Sequence, residues 1–138
     1  MSAIHAPKKK YFTVQQANAM LPLLRLILRD ITTLAQRLRE QNRRLARLQD
    51  AATATTDQLD DAVAEIESTQ EQIRTHKEEL DQLQVELKDY LTGLVDFPAR
   101  MDGREVYLCW RMDEPEVAHW PDLDSGFAGR RKLNVTAR

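Results

Sequence analysis

A heptad of apolar residues runs through the first fifty residues and restricts the folds open to this chain. One column contains Ala17, Leu24, Ile31, Leu38, Leu45 and Ala52, and the other contains Met20, Ile27, Leu34 and Leu48. Apolar residues three and four apart share one side of an α-helix, so the pattern predicts a long helix with a coiled-coil seam. Thr13 and Gln16 have the spacing of a capping box. Pro22 predicts a bend or an interruption, because proline has no amide hydrogen.

A second apolar seam follows Thr55, where threonine and aspartate provide new helix caps. It runs through Leu59, Ile66, Ile73, Leu80 and Leu87. The short connection near residues 51–57 predicts an antiparallel hairpin over residues 13–84. Turn centres near 54 and near 57 both give workable layers, so the register stays open. Gln41, Thr69 and His76 interrupt the seams, and polar residues at such positions set register or oligomeric state.

Charge is divided unevenly along the chain. The net charge is +7 over residues 1–50, −9 over 51–96 and zero over 97–138, which gives −2 in total. Opposite charges favour pairing of the two helices, and we expect Arg37 and Arg44 to meet acidic residues across the seam. The arginines away from the seam are nucleic-acid candidates: Arg25, Arg29, Arg39, Arg43 and Arg47. Such a basic stripe fits either a phosphate backbone or a solvated helix face.

After about residue 85, short runs of β-branched and aromatic residues replace the helical pattern. Turn signals separate these runs, and Asp102-Gly103 favours a hairpin. We predict an antiparallel β-meander of three or four strands over residues 85–121. The competing interpretation continues the second helix to Tyr90 or Leu91, with Gly93 as its cap.

The predicted fold is therefore mainly α: a long antiparallel two-helix coiled-coil hairpin with a small C-terminal antiparallel β-meander as an α+β head. A basic arm over residues 1–12 and a Gly/Arg-containing loop and tail over 122–138 complete one domain. Additional apolar residues crowd near Pro22, where we expect the meander to pack: Leu21, Leu23, Leu26 and Leu28. The hairpin should taper toward residues 50–58.

The composition excludes several classes of protein. No apolar run approaches the roughly 18 residues of a membrane helix, and no apolar block with a cleavage site follows the N-terminus. We therefore expect a cytoplasmic protein without a membrane partner. The single cysteine, Cys109, excludes an intrachain disulfide and a Cys-pair zinc site. The chain has 4 glycines, and they form no phosphate-binding loop.

Three unusual motifs occur in the C-terminal third: LVDFPA, GREVYLCWR and LDSGFAGR. With the opening segment from Tyr11 to Pro22, they make the chain similar to the bacterial family catalogued as domain of unknown function 2203. The resemblance covers nearly the whole chain and implies a shared fold but no activity. The family pattern implies a histidine after Trp120, where this chain has Pro121 and places His119 before the tryptophan. A family role for that histidine would fall to His119 or be absent.

The same segment carries the candidate ligand-binding side chains. They are Asp96, Trp110, Arg111, Trp120, Asp124, Phe127 and Arg130. The small residues around Phe127 allow a close backbone approach, and Arg130, Arg131 and Lys132 add further nucleic-acid candidates. The alternative is a tail that docks Phe127 on the sheet and leaves the cations solvated. Asp96 is expected either to bind a ligand at a strand end or to pair with a nearby arginine.

Four residues have the chemistry of metal ligands: Cys109, His119, Asp122 and Asp124. Their spacing is not diagnostic, and the competing interpretation of Cys109 is a small buried residue. The sequence requires no cofactor. We predict a non-enzymatic interaction protein that associates with an RNA-containing assembly or another protein. The alternatives are a metal-dependent enzyme or small-ligand site in the head, and a structural coiled-coil homodimer.

Overall fold

The computed structural model describes the backbone of residues 9–120 and 131–132, and the side chains of residues 9–118. Helix α1 spans Val14–Asp50 and helix α2 spans Thr56–Gln82. The Thr13 and Thr55 side chains each accept from the backbone amide three residues on, and glutamines at those positions reach back. Both predicted N-caps are thus confirmed, and together they fix the start of each helix in the hairpin.

Of the bend or interruption predicted at Pro22, the interruption is wrong, because helix α1 continues through this residue. Proline removes one hydrogen bond, which would have run from residue 22 to the carbonyl of Asn18. Pro22 itself is exposed, whereas Leu21 and Leu24 are 3% and 0% exposed. Burial of these neighbours on either side of the proline holds the helix together across the missing bond.

Residues 51–55 join the two helices, so the middle of the turn lies closer to residue 54 than to residue 57, the two centres left open by the sequence. The Arg44 Nη1 atom lies 3.4 Å from Glu65 Oε1 across the hairpin, which confirms one predicted ion pair. Arg37 makes no ion pair among the residues that the structure describes. Its expected partners are engaged within α2, where Glu71 and Glu78 both pair with Arg74.

A sheet with strand order β1-β2-β3-β4-β5 follows the hairpin. Its strands are β1 Glu86–Asp89, β2 Leu94–Met101, β3 Arg104–Arg111, β4 His119–Trp120 and β5 Arg131–Lys132. Helix α2 ends before this sheet, and Gln84, with φ of 61°, turns the chain out of the helix. The strand interpretation is confirmed over the longer helix. The predicted tail contributes β5, one strand more than expected.

The β2–β3 turn has the conformation that Asp102-Gly103 predicts. Both residues lie in the left-handed region, with φ of 54° and 78°. A two-residue turn of this kind matches the twist of the two strands it joins. It fixes an unbroken register from Leu94 opposite Arg111 to Met101 opposite Arg104.

One apolar cluster joins the sheet to the helices. It includes Leu21, Leu24, Leu28, Leu80, Val95, Phe97, Leu108 and Trp110. Leu21 and Leu28 lie in this core, as predicted. By contrast, Leu23 and Leu26 are 47% and 59% exposed, because their positions on α1 face away from the sheet and from α2. The sheet therefore covers only one flank of α1.

The hairpin extends beyond this core. Ala35 is the last buried residue of α1, and Leu38, Leu45 and Leu48 are only half-buried. We call residues 36–73 the stalk and the other described residues the head. The stalk consists of the two helices, and no other described element forms a third layer over it.

The described end of the N-terminal arm is tied to the head. The Phe12 amide donates to the Pro98 carbonyl at 2.7 Å, and the rings of Phe12 and Phe97 are 5.2 Å apart. The Lys10 amide donates to Gln84 Oε1 at 2.6 Å. These contacts anchor the chain where α1 enters the head.

Candidate functional site

The sheet brings several of the proposed ligand residues into one row. Glu86 pairs with Asp96, Asp96 with Cys109, and Cys109 with His119. Residues directly opposite each other on antiparallel strands occupy the same face of a sheet. The row therefore places Cys109 and His119 at neighbouring positions. Asp96 lies inside β2, not at the strand end that the sequence suggested.

The row does not by itself form a metal centre. Cys109 is 1% exposed, in agreement with its interpretation as a small buried residue. Among the described residues, no group of three or more histidine, cysteine, aspartate and glutamate side chains is arranged to hold a metal ion. Asp122 and Asp124 lie outside the described ranges, so the metal set that includes them stays a prediction.

Arg25 and Trp110, two of the proposed site residues, form an internal clamp. The Arg25 Nη2 atom donates to the carbonyls of Glu114 and Pro115 at 3.0 and 2.9 Å, and its guanidinium lies 5.2 Å from the Trp110 ring centroid. The indole of Trp110 also donates to the Glu114 carbonyl, at 3.1 Å. Nearby, the Val117 amide donates to Asn18 Oδ1 at 2.7 Å. The clamp fixes the β3–β4 connection against α1.

Arg111 is held in the same connection. Its Nε atom donates to Asp113 Oδ1 at 2.6 Å, and its amide donates to Glu114 Oε1 at 2.8 Å. The hydrogen bond that Arg111 donates to Asp113, followed by the charge of that carboxylate, raises the pKa of Arg111. These contacts stabilise the turn after β3, so Arg111 contributes to the structure of this connection.

The sequence did not predict one polar cluster that lies on the sheet. Lys9 and the Tyr107 hydroxyl both donate to the Glu105 carboxylate, the latter at 3.1 Å, and the Arg100 guanidinium lies 4.4 Å from the Tyr11 ring centroid. The hydrogen bond from Lys9 is the main cause that lowers the pKa of Glu105, although burial opposes it. Strand alternation places residues 105 and 107 on one face, but no local signal brings Lys9 to them.

The other four arginine candidates of α1 remain on its surface. Arg29, Arg39, Arg43 and Arg47 are exposed. Glu40 lies 3.8 Å from Arg43 Nη1 and 3.2 Å from Arg47 Nη2. Within the described part of the chain, Arg29 and Arg39 have no acidic partner. The sequence therefore anticipated a basic face that the fold leaves accessible, except at Arg25.

A groove lies beside this basic face, at the boundary of head and stalk. Its volume is about 490 Å³, and its lining consists of Ala35, Leu38, Arg39, Asn42, Arg43, Ala46 and Leu91. A smaller cleft of about 250 Å³ shares Ala35 and Leu38 and adds Gln70, Ile73 and Tyr90. The turn between β1 and β2 thus reaches α1 and borders both cavities. Sequence reasoning did not identify this groove.

The polar seam residues have separate environments. The Thr69 hydroxyl donates to the Glu65 carbonyl at 3.1 Å, and His76 Nδ1 lies 3.0 Å from Glu79 Oε1. Gln41 Oε1 is buried and has no hydrogen-bond partner among the described residues. An unsatisfied buried oxygen destabilises a fold, so this position weakens the stalk.

Several candidates cannot be placed by their side chains. The structure describes only the backbone of four candidates: His119, Trp120, Arg131 and Lys132. Four others lie entirely outside the described residues: Asp122, Asp124, Phe127 and Arg130. Pro121 and the expected departure from the family pattern lie there too. Their roles stay predictions.

Comparison with known proteins gives one family. A family described as "Uncharacterized conserved protein (DUF2203)" matches residues 10–133. A search of curated proteins found no match, and a search of solved structures found none either. Neither of the described helices has an apolar stretch long enough to cross a membrane.

Proposed function

Since the chain belongs to the DUF2203 family of uncharacterised conserved proteins, we propose that it is a cytoplasmic, non-enzymatic interaction protein that binds RNA along the outer face of α1. The observation that carries the proposal is the charge of one segment. Residues 29–47 contain six exposed arginines and two acidic residues, Asp30 and Glu40. This segment extends about 27 Å at the rise of an α-helix.

The arginines are spaced to follow a phosphate backbone. Arg29 and Arg47 are 18 residues apart in the sequence, which is about five helical turns, so both project in the same direction. Arg43 lies within the same stripe, one turn before Arg47. A linear array of guanidinium groups suits phosphates, because each presents several donors in a planar fork.

Glu40 offers a way to modulate the site. It lies between the arginines of the stripe and contacts both Arg43 and Arg47. A nucleic acid that binds here must compete with this carboxylate for the two guanidinium groups. Removal of the Glu40 charge should therefore strengthen RNA binding, an outcome that a merely solvated helix face would not give.

The test is fluorescence anisotropy with a labelled single-stranded RNA of about 20 nucleotides, longer than the sites of up to about 16 nucleotides that single binding modules cover. Glu40→Gln should raise the affinity by about two- to fivefold. Arg29→Gln should lower the affinity and reduce the slope of log K against log salt by about 0.7, the value of one phosphate contact on a single strand.

Two matched variants control for net charge. Glu67→Gln and Arg104→Gln make the same charge changes at exposed positions away from this face. Both should leave RNA affinity within about twofold of the unmodified protein. Absence of RNA binding at low salt would contradict the proposal, as would equal effects of Glu40→Gln and Glu67→Gln.

The rival proposal is a metal site in the head. It is favoured by the register that pairs Cys109 with His119, two residue types that bind zinc. Cobalt(II) is a suitable probe, because a thiolate ligand gives an absorption band that Cys109→Ser would remove. No such band, together with an unchanged melting temperature in zinc, would argue against this function.

A further inference from the structure

The groove at the boundary of head and stalk has a regular helical lining. Its α1 residues are Ala35, Leu38, Arg39, Asn42, Arg43 and Ala46. They recur at intervals of three and four residues and form one stripe, about 16 Å long at the rise of an α-helix. Leu91, which is 40% exposed, adds an apolar lining residue from the turn between β1 and β2.

The stripe continues the surface that the sheet covers in the head. Leu21, Leu28 and Ala35 follow one another at intervals of seven residues and are 3%, 0% and 8% exposed. The next member of this column is Asn42, which is exposed. Tyr90 and Leu91 lie in the turn between β1 and β2, and beyond this turn no described residue forms a covering layer on the same flank of α1. The groove is therefore the place where the layer over α1 stops.

The rim of the groove is basic. Arg39 and Arg43 are its charged lining residues, and none of the lining residues that the structure describes is acidic. The floor consists of Ala35, Leu38 and Ala46. An occupant with an apolar stripe and carboxylates beside it would complement both the floor and the rim.

We propose that this groove docks an acidic amphipathic helix of a partner protein, packed beside α1 as a continuation of the layer that the sheet begins. A helix satisfies its own backbone hydrogen bonds, so it can bind here without pairing to a strand edge. Its leucine-like side chains lie on the floor, and its carboxylates meet Arg39 and Arg43. This interface shares Arg43 with the stripe proposed for RNA binding, whereas Arg29 and Arg47 do not line the groove.

Two designed helical peptides of about 18 residues, or five turns, provide the probe. Both carry leucines at helical spacing, and they differ in the flanking residues, which are glutamate in one and lysine in the other. Fluorescence anisotropy with the full-length protein should give saturable binding of the glutamate peptide. The lysine peptide should bind at least tenfold more weakly.

Variants of the protein locate the binding. Ala46→Glu places a carboxylate in the groove, and Leu91→Asp replaces an apolar lining residue by a carboxylate, so each should weaken binding of the glutamate peptide at least tenfold. Leu26→Asp is the matched control, because Leu26 is more exposed than Leu91 and does not line the groove. The affinity of this control for the peptide should be within about twofold of that of the unmodified protein. Circular dichroism melting confirms that each variant is folded.

The proposal is overturned by any of three results. The first is no saturable binding of the glutamate peptide. The second is equal affinity for both peptides, which would mean that the rim has no influence. The third is a loss of peptide affinity for Leu26→Asp as large as that for Leu91→Asp, which would place binding outside the groove. RNA binding through Arg29 is measured separately and does not depend on these outcomes.

Discussion

In the head, α1 packs against both α2 and the sheet, whereas along the stalk α2 is the described element that α1 packs against. The difference is visible in the heptad column of Ala17, Leu24, Ile31 and Leu38. The first three are 0% exposed, and Leu38 is half-buried. One repeating pattern therefore yields a closed core in one region and an open flank in the other. The presence or absence of the sheet makes the difference.

This contrast separates the tasks of the two regions. In the head, Arg25 and Trp110 hold a connection in place. In the stalk, Arg39 and Arg43 line an open groove, and Arg47 contacts only the exposed Glu40 among described residues. Arginine on α1 thus stabilises the fold at Arg25, where carbonyls of the β3–β4 connection are within reach, and remains accessible at Arg39 and Arg43.

The largest expected difference in the free energy of unfolding comes from substituting one leucine in each region. Leu28→Ala in the head should reduce the free energy of unfolding by about 3 kcal/mol, because Leu28 is 0% exposed and its loss leaves a cavity. Leu45→Ala in the stalk should cost roughly 1 kcal/mol, because that side chain is only half-buried. Urea unfolding measures both. Equal losses would mean that the stalk is packed as tightly as the head.

A smaller difference in the free energy of unfolding is expected when two arginines of α1 are substituted one at a time. Arg25→Met should reduce the free energy of unfolding by about 1–2 kcal/mol, because it removes two hydrogen bonds to carbonyls and the contact with Trp110. Arg29→Met should change it by less than about 0.5 kcal/mol, as is usual for an exposed side chain. Thermal and urea unfolding test this prediction. An equal response at the two positions would refute the clamp.

The smallest effect concerns the pH dependence of the arm. The pKa of Glu105 is lowered below its ordinary value of 4.5, chiefly by the hydrogen bond from Lys9. A lowered pKa means that this contact stabilises the fold above about pH 4.5 and is lost as the pH falls through the folded-state pKa. Lys9→Met should raise the pKa of Glu105 toward 4.5, as followed by carbon-13 NMR of its carboxyl group. An unchanged value would show that Lys9 does not control it.

Local features of the fold were predictable from the sequence. The capping box of Thr13 with Gln16, the helix cap at Thr55, and the Asp102-Gly103 turn each act over a few residues, and each is present in the structure. Such signals depend on neighbouring backbone atoms. They do not require knowledge of distant parts of the chain.

Features that depend on the sheet were harder to predict. Leu28 and Leu26 both lie outside the narrow seam, but only Leu28 is covered by the sheet. Arg25 and Arg29 have equivalent spacing, yet the carbonyls that bind Arg25 come from residues 114 and 115. The groove depends on where the sheet ends along α1, and that position cannot be predicted from the sequence pattern of α1 itself.

The most direct test of the central claim is NMR mapping of RNA binding on the nitrogen-15-labelled protein. Unlabelled single-stranded RNA is titrated at low salt, and amide shifts are followed along the chain. We predict that the largest shifts lie between Arg29 and Arg47, fade as salt is raised, and increase in Glu40→Gln. Shifts concentrated on the sheet around Asp96 and Cys109 would contradict the claim that the head maintains the fold and the basic face of α1 binds.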